Sequence, residues 1–155
     1  MSVVYLSLGS NCGNRRKYLI TALALLAERA GDVVAISSFH ETEPWGFESP
    51  NKFLNVAAEL HTALNPCDLL HLTQQIEIEL GRTKKTVSQS YGDRCIDIDI
   101  LLYDSRIIQT PDLTIPHPLM HERLFVLQPL AEIAPHMLHP ILQLSVNEMI
   151  EQLSD

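Results

Sequence analysis

The most distinctive chemical pattern in the sequence is Asp97-Ile98-Asp99. Apolar residues alternate with polar ones around it, which predicts a β-strand with both carboxylates on one face. Their Cα atoms would lie about 7 Å apart, and a divalent cation would relieve the repulsion between the two charges. Taken alone, the pattern is more typical of the solvent face of an ordinary edge strand, so a metal site needs support from neighbouring residues.

A cluster of cations directly precedes these aspartates. Arg82, Lys84, Lys85 and Arg94 account for four of the eleven Lys and Arg residues of the chain. A polyphosphate bound beside a metal needs such cations, because they share the phosphate charge with the metal. A loop kept soluble by its lysines would have the same composition, and the cluster alone does not distinguish the two.

A stiff segment, Ile115-Pro116-His117-Pro118, follows later in the chain. The prolines restrict the backbone around His117, which could then donate a hydrogen bond to a phosphate, with Arg123 adding positive charge. A single histidine is more often an ordinary hydrogen-bonded surface residue. The segment therefore supports a phosphate site only together with the aspartates and the cations.

Two pairs of residues have the chemistry to bind a base and a sugar. Phe53 and Asn55 share the face of a predicted strand that lies opposite its main apolar face. A ring that stacks and an amide that both donates and accepts suit a flat heterocycle. Gln74 and Glu77 share one side of a predicted helix and could bind a ribose. Alternatively, the preceding loop covers the Phe53 ring, and Gln74 and Glu77 are ordinary exposed residues of a helix.

The segment over residues 9–14 contains two glycines but does not match a known phosphate-binding loop. No Lys-Ser or Lys-Thr pair follows at the required spacing, and the segment is not G-x-G-x-x-G. We interpret it as a turn that leads into a helix capped by Asn14.

Apolar periodicity predicts the elements that position these residues. Strands are predicted over residues 3–8, 33–38, 53–61 and 96–102, with a short one near 107–108, and helices over residues 15–30, 66–80, near 121–130 and from 145. Residues 41–52 and 82–94 are predicted as loops. The adjacent second and third strands indicate an antiparallel pair. We therefore predict an α+β fold, a ferredoxin-like antiparallel sheet with helices packed on one face.

Length and composition limit the class of protein. A chain of 155 residues with 46% hydrophobic residues suits one compact domain over residues 1–155. The formal net charge of −8 disfavours a general nucleic-acid or anionic-membrane binder, so we expect neither partner. The longest apolar run is far short of the roughly 20 residues that a membrane span needs.

The cysteines bear on the compartment. Cys12, Cys67 and Cys95 are odd in number and far apart, so we expect no disulfide framework and a reducing environment. The N-terminus has no basic stretch before an apolar run, so we expect no signal peptide. These features predict a cytoplasmic protein.

In combination, these residues resemble the 6-hydroxymethyl-7,8-dihydropterin pyrophosphokinase family of folate biosynthesis. The resemblance extends over nearly the whole chain, from residue 8 to residue 130, and its most specific element is the R-x-x-D-x-D pattern of Arg94, Asp97 and Asp99. The other segments that match the family are Leu8-Gly9-Ser10-Asn11, Phe53-Leu54-Asn55, residues 74–82, Ile115-Pro116-His117 and residues 125–130.

The resemblance implies an activity and its partners. The expected reaction is a Mg²⁺-dependent transfer of the β,γ-diphosphate of ATP to the hydroxymethyl group of the pterin, which releases AMP. The implied cofactor is two Mg²⁺ ions bound with ATP, held by Asp97 and Asp99. The implied partners are ATP and 6-hydroxymethyl-7,8-dihydropterin alone, and we expect a monomer.

The resemblance also implies three groups of site residues. The catalytic group is Arg82, Arg94, Asp97 and Asp99. The ATP-binding group is Gln74, Glu77, Lys84, Ile100, Thr114, His117 and Arg123, in which Ile100 and Thr114 would contact adenine through backbone groups. The pterin-binding group is Thr42, Glu43, Trp45, Phe53, Asn55, Tyr91 and Phe125.

The chain departs from the family pattern at four positions. Tyr91 and Asp93 stand where the family usually has Trp and Pro, Lys84 replaces an arginine, and Pro118 follows His117. Asp93 would place an acid near the phosphates, and Lys84 lacks the bidentate geometry of arginine.

Two other classes of protein are alternatives. A D-x-D nucleotide-sugar transferase would share the aspartates, but it usually needs a larger, mostly parallel sheet than 155 residues permit. A ferredoxin-like module that senses a nucleotide would not need Phe53 and Asn55 beside metal carboxylates. The identity of the nucleotide product separates an AMP-releasing enzyme from both.

Overall fold

The computed structural model describes residues 1–42, 52–81 and 95–154. The strands are β1 (Ser2–Ser10), β2 (Gly31–Ile36), β3 (His40–Thr42), β4 (Phe53–Thr62), β5 (Asp97–Tyr103), β6 (Ile108–Gln109) and β7 (Thr114–Ile115). The helices are α1 (Arg15–Arg29), α2 (Pro66–Gly81), α3 (Leu124–Ile133) and α4 (Val146–Ser154), and a 3₁₀ turn over Met120–Glu122 precedes α3.

The main sheet is antiparallel and has the strand order β2-β4-β1-β5. Strand β3 pairs with β4 beyond the end of β2, on the same edge. The predicted α+β class and the antiparallel pairing of the second and third predicted strands are confirmed. The prediction of a loop from residue 41 misses β3, because a three-residue strand is too short to show a period of two. Residues 43–51 of that loop lie outside the described residues.

Helices cover both faces of the sheet, so the prediction of one covered face is wrong. Helices α1 and α2 pack on one face around Leu6, Val56 and Ile98. Helices α3 and α4 pack on the other around Tyr5 and Ala57. The helix packing on the second face is not apparent from the sequence, because the strands place small and polar residues on that face and large apolar residues on the first. Such alternation is typical of a sheet with one face exposed to solvent.

Local signals place the helix ends. The side chain of Asn14 accepts a hydrogen bond from the backbone of Lys17 at 3.1 Å, which confirms the predicted cap of α1. Ser145 and Glu148 form the predicted capping box, each backbone N–H donating to the other's side chain. Gly31 begins β2 so close to β4 that a Cβ there would lie 2.1 Å from the His61 carbonyl oxygen.

Cys12 and Cys95 form a disulfide, with Cα atoms 5.0 Å apart, a single bridge that the expectation of no disulfide framework did not include. Cys12 follows β1 and Cys95 precedes β5. Because Gly9 pairs with Asp97, the antiparallel ladder brings both cysteines to the same end of the sheet. Their separation of 83 residues along the chain gave no hint of this.

Within residues 1–42, 52–81 and 95–154, none of the helices combines the length and the apolar character that crossing a membrane requires.

Candidate functional site

The two aspartates lie at the start of β5, as the alternation predicts. Ile98 between them is 5% exposed and packs into the first core, so Asp97 and Asp99 face the opposite side of the sheet, where both are partly exposed. Strand β5 pairs with β1 on one side and ends the order of the main sheet on the other. The pattern therefore places two acceptor carboxylates side by side on an ordered edge strand.

Helix α2 contacts this edge through Glu77. Its Oε2 accepts a hydrogen bond at 2.7 Å from the backbone N–H of Ile98, which points away from β1. The peptide of Ile100, two residues on, faces the same outer edge, because alternate residues of a strand direct their backbone groups alike. Gln74 lies one turn before Glu77 and is exposed. Glu77 and the peptide of Ile100 thus lie along one edge, with Gln74 one turn away on the same helix.

His117 lies against the same strand. Its backbone N–H donates to the Leu101 carbonyl at 3.0 Å, and its Nε2 lies 4.0 Å from Asp99 Oδ1. Its Nδ1 accepts from the Leu119 N–H at 3.2 Å, so the neutral ring carries its proton on Nε2, on the side of the aspartate.

The charge state of His117 follows from its surroundings. Burial, and then the charge of Arg123, lower the pKa of His117, while Asp97 opposes them. The neutral ring is therefore favoured, and it donates from Nε2. Thr114 lies nearby on β7, the short strand that pairs with β6 and contacts β5.

The start of α3 contributes Arg123 and Phe125. Helix α3 covers the sheet face on which Asp97 and Asp99 lie, and Phe125 packs against its core. The Arg123 guanidinium carbon lies 5.5 Å from the centre of the Phe125 ring, within cation–π range. A positive charge and an aromatic ring thus stand together at the end of the helix nearest to His117.

Asn55 and Asp97 lie in one row across three strands. Asn55 of β4 pairs with Gly9 of β1, and Gly9 pairs with Asp97 of β5. Residues directly opposite in a ladder share a face, so the position between the amide and the carboxylate holds no side chain. A Cβ on Gly9 would lie 2.8 Å from Asn55 Oδ1 and 3.5 Å from Phe53 Cδ1. Gly9 therefore lets the Asn55 amide pack directly against the backbone of β1.

Thr42 fixes the amide of that row. Asn55 is 3% exposed, and its Nδ2 donates to Thr42 Oγ1 at 2.7 Å. Thr42 pairs with Phe53 across β3 and β4. These three predicted pterin residues therefore form one hydrogen-bonded and packed wall beside Gly9.

Gly9 is the residue that sequence reasoning missed as part of the site. The sequence pattern predicts a turn at Gly9, whereas Gly9 lies within β1. Its importance follows from its pairing with Asn55 of β4, and the sequence alone does not give the register of that pairing.

Other predicted site residues lie outside the described residues. They are Glu43, Trp45, Arg82, Lys84, Tyr91 and Arg94. The described residues bring together the aspartates, His117, Glu77 and the wall formed by Thr42, Phe53 and Asn55.

Comparisons with known proteins identify the family to which the chain belongs. Residues 5–135 match the model of a family described as 7,8-dihydro-6-hydroxymethylpterin-pyrophosphokinase (HPPK). A 2-amino-4-hydroxy-6-hydroxymethyldihydropteridine pyrophosphokinase of Porphyromonas gingivalis is 53% identical over 141 residues, which cover 90% of this chain and 95% of the relative. Its counterpart in Bacillus subtilis is 52% identical over 133 residues, which cover 85% of this chain and 78% of the relative.

Solved structures agree on the fold. A crystal structure of Plasmodium falciparum HPPK-DHPS superposes with a TM-score of 0.75 at 16% identity, covering 98% of this chain. The chain spans 43% of that longer protein. The family model and the two bacterial relatives match most of the chain, which therefore belongs to the 7,8-dihydro-6-hydroxymethylpterin-pyrophosphokinase family and is a transferase.

Proposed function

We propose that the chain transfers the β,γ-diphosphate of ATP to the hydroxymethyl group of 6-hydroxymethyl-7,8-dihydropterin and releases AMP, as a step of folate biosynthesis. The observation that supports this most is the row Asn55–Gly9–Asp97. It places a hydrogen-bonding amide on one side of a residue without a side chain and an acceptor carboxylate on the other. A flat heterocycle at the amide and a metal-bound polyphosphate at the carboxylate would lie side by side on this face of the sheet.

The carboxylates of Asp97 and Asp99 fit magnesium. They are oxygen ligands on one face of one strand, partly exposed, and magnesium prefers one or two carboxylates together with water and phosphate oxygens. We propose that they hold two Mg²⁺ ions with ATP. Bound magnesium neutralises phosphate charge in this chemistry.

His117 and Arg123 would bind phosphate oxygens. The neutral His117 ring donates from Nε2 on the side of Asp99, and Arg123 adds a permanent charge. Burial lowers the pKa of His117 and so favours the neutral ring, and Arg123 supplies a positive charge at this point.

The nucleotide base and sugar would lie along the outer edge of β5. Ile100 offers backbone groups to adenine there, together with Thr114 of β7. Gln74 and Glu77 would line the same edge from α2. We propose the ribose beside these two side chains.

Residues 43–51 and 82–94 would complete the site. We propose that Glu43, Trp45 and Tyr91 enclose the pterin with Phe125, and that Arg82, Lys84 and Arg94 neutralise phosphate charge in the transition state.

The reaction needs positioning and charge more than covalent help. The pterin hydroxymethyl oxygen attacks the β-phosphorus and its proton passes to solvent, while the bond from the β-phosphorus to the α,β-bridging oxygen breaks and AMP leaves with that oxygen. The Asn55 amide and the β5 carboxylates would set the attacking oxygen in line with the leaving group. We propose no protein nucleophile.

We further propose that residues 1–155 form one pyrophosphokinase domain that acts in the cytoplasm as a monomer. The net charge of −8 disfavours nucleic acid and anionic membranes as partners.

One assay tests the proposed function. The protein is incubated with ATP, Mg²⁺ and 6-hydroxymethyl-7,8-dihydropterin, and the nucleotide product is identified by chromatography. We expect AMP in an amount equal to the pterin diphosphate formed. ADP as the product, or no turnover, would overturn the proposal.

A further inference from the structure

Strand β3 has little of its own to hold it in place. It contains three residues and pairs with β4 through His40–Asn55, Glu41–Leu54 and Thr42–Phe53. So short a ladder supplies few hydrogen bonds, and the strand lies at the edge of the sheet. The position of Thr42, which orients the Asn55 amide, therefore depends on contacts at the two ends of β3.

Glu132 of α3 holds the first end. Its carboxylate accepts from the Ser38 backbone N–H at 2.7 Å and from the Ser38 hydroxyl at 2.9 Å. The same carboxylate lies 2.5 Å from His40 Nε2. These contacts join the helix that begins beside Phe125 to the strand that ends at Thr42. They therefore link two predicted walls of the pterin pocket.

Arg15 of α1 holds the second end. Its Nη2 donates to Glu41 Oε2 at 2.8 Å, and its Nη1 donates to the Lys52 carbonyl at 2.9 Å. Glu41 and Lys52 lie on opposite sides of residues 43–51. One guanidinium thus joins the strand that precedes that segment to the residue that enters β4.

The two carboxylates in these contacts, those of Glu132 and Glu41, are held in their charged form. Hydrogen bonding, above all from the Ser38 backbone, lowers the pKa of Glu132. The hydrogen bond from Arg15 is the main cause that lowers the pKa of Glu41. Charge-assisted hydrogen bonds of this kind are stronger than neutral ones.

We propose that Glu132 and Arg15 are positioning residues for the pterin, acting through β3 on the Thr42–Asn55 pair. The inference rests on the proposed function. Removing either anchor frees one end of β3, so the amide spends less time in its binding orientation. The nucleotide edge of β5 lies on the far side of β1 and keeps its own contacts.

The test compares the binding of two ligands. Dissociation constants are measured for the pterin in the presence of α,β-methylene-ATP, and separately for that analogue alone. The variants are Glu132→Ala and Arg15→Ala, together with the milder Glu132→Gln and Arg15→Lys. We expect each alanine variant to weaken pterin binding about three- to tenfold. Binding of the analogue should change by less than about twofold, and Glu132→Gln should recover part of the loss because its amide oxygen still accepts.

Arg29 and Glu79 provide a matched control. They form a bidentate ion pair between α1 and α2, at 2.8 and 3.2 Å, with exposures of 33% and 39% that resemble those of Arg15 and Glu41. This pair lies away from β3. Arg29→Ala should therefore leave pterin binding unchanged.

The possible results separate the two levels of the proposal. A wild-type protein that binds no pterin would refute the proposed function itself. If wild type binds and both alanine variants bind equally well, the positioning role is wrong while the function stands. Equal weakening of both ligands, or the same loss in Arg29→Ala, would show general loosening and would also overturn the positioning role.

Discussion

Replacing Gly9 by alanine tests the close contact between Gly9 and the Asn55 amide with a single methyl group. The new Cβ would lie 2.8 Å from Asn55 Oδ1, closer than such atoms approach in folded proteins. Asn55 has little room to give way, because it is 3% exposed and its Nδ2 donates to Thr42. The clash therefore falls on the amide that we propose binds the pterin.

The size of the effect follows from the two ways of relieving the clash. If Asn55 rotates, its hydrogen bond to Thr42 is lost, at about 0.5–1.5 kcal/mol. If the strands shift instead, overpacking costs about 1–3 kcal/mol. A loss of about 1–3 kcal/mol in pterin binding corresponds to roughly 5- to 150-fold in the dissociation constant. The nucleotide edge of β5 should be unaffected.

Gly81→Ala is the matched control, because a Cβ there meets nothing within 4 Å among the residues that the structure describes. We would measure dissociation constants for the pterin and for α,β-methylene-ATP by fluorescence or calorimetry, with urea unfolding of each variant. Gly81→Ala should bind both ligands normally, with unchanged or slightly raised stability. Unchanged pterin binding in Gly9→Ala would refute the role of the Gly9–Asn55 contact in pterin binding, as would an equal loss for both ligands.

Three further predictions concern stability and chemistry. Glu77→Ala should lower the free energy of unfolding by about 1–3 kcal/mol, because it leaves the part-buried N–H of Ile98 unpaired. Glu77→Gln should lower it less, because the amide oxygen can still accept that hydrogen bond. Equal urea unfolding curves for the two variants would contradict this prediction. Alkylation of the unfolded, non-reduced protein should label one cysteine, Cys67. After reduction, Cys12 and Cys95 should also be labelled. Labelling of all three cysteines without reduction would disprove the disulfide. Burial lowers the pKa of His139 in the folded state, so this histidine binds a proton more readily in the unfolded chain. The free energy of unfolding should therefore fall as the pH drops below about 6.5. The urea midpoint should fall less over this pH range in His139→Asn than in wild type, and an equal fall would contradict the prediction.

The residues that sequence reasoning placed correctly are those whose signal is local. Alternation alone placed Asp97 and Asp99 on one face of a strand, since a period of two depends only on neighbouring residues. Asn14 and the Ser145–Glu148 pair revealed helix starts for the same reason, because a cap satisfies donors within one turn.

The features that escaped prediction depend on register and on distant segments. The row Asn55–Gly9–Asp97 exists because the register of three strands aligns these residues, and no single segment of the sequence records that alignment. The Cys12–Cys95 bond depends on the same ladder. The contact of Glu132 with Ser38 joins residues 94 positions apart, and an exposed glutamate on a helix gives no sign of such a partner.

The most direct test of the proposed metal and phosphate site is AMP release by Asp97→Asn and Asp99→Asn. Each change keeps the shape of the side chain and removes the charge that would hold magnesium, so the urea unfolding curves should match wild type or shift to higher stability. Asp112→Asn, an exposed residue away from β5, is the control. We expect AMP release to fall at least about a hundredfold in both β5 variants and to stay normal in the control. Near-normal AMP release by either β5 variant would contradict the proposed role of these two carboxylates.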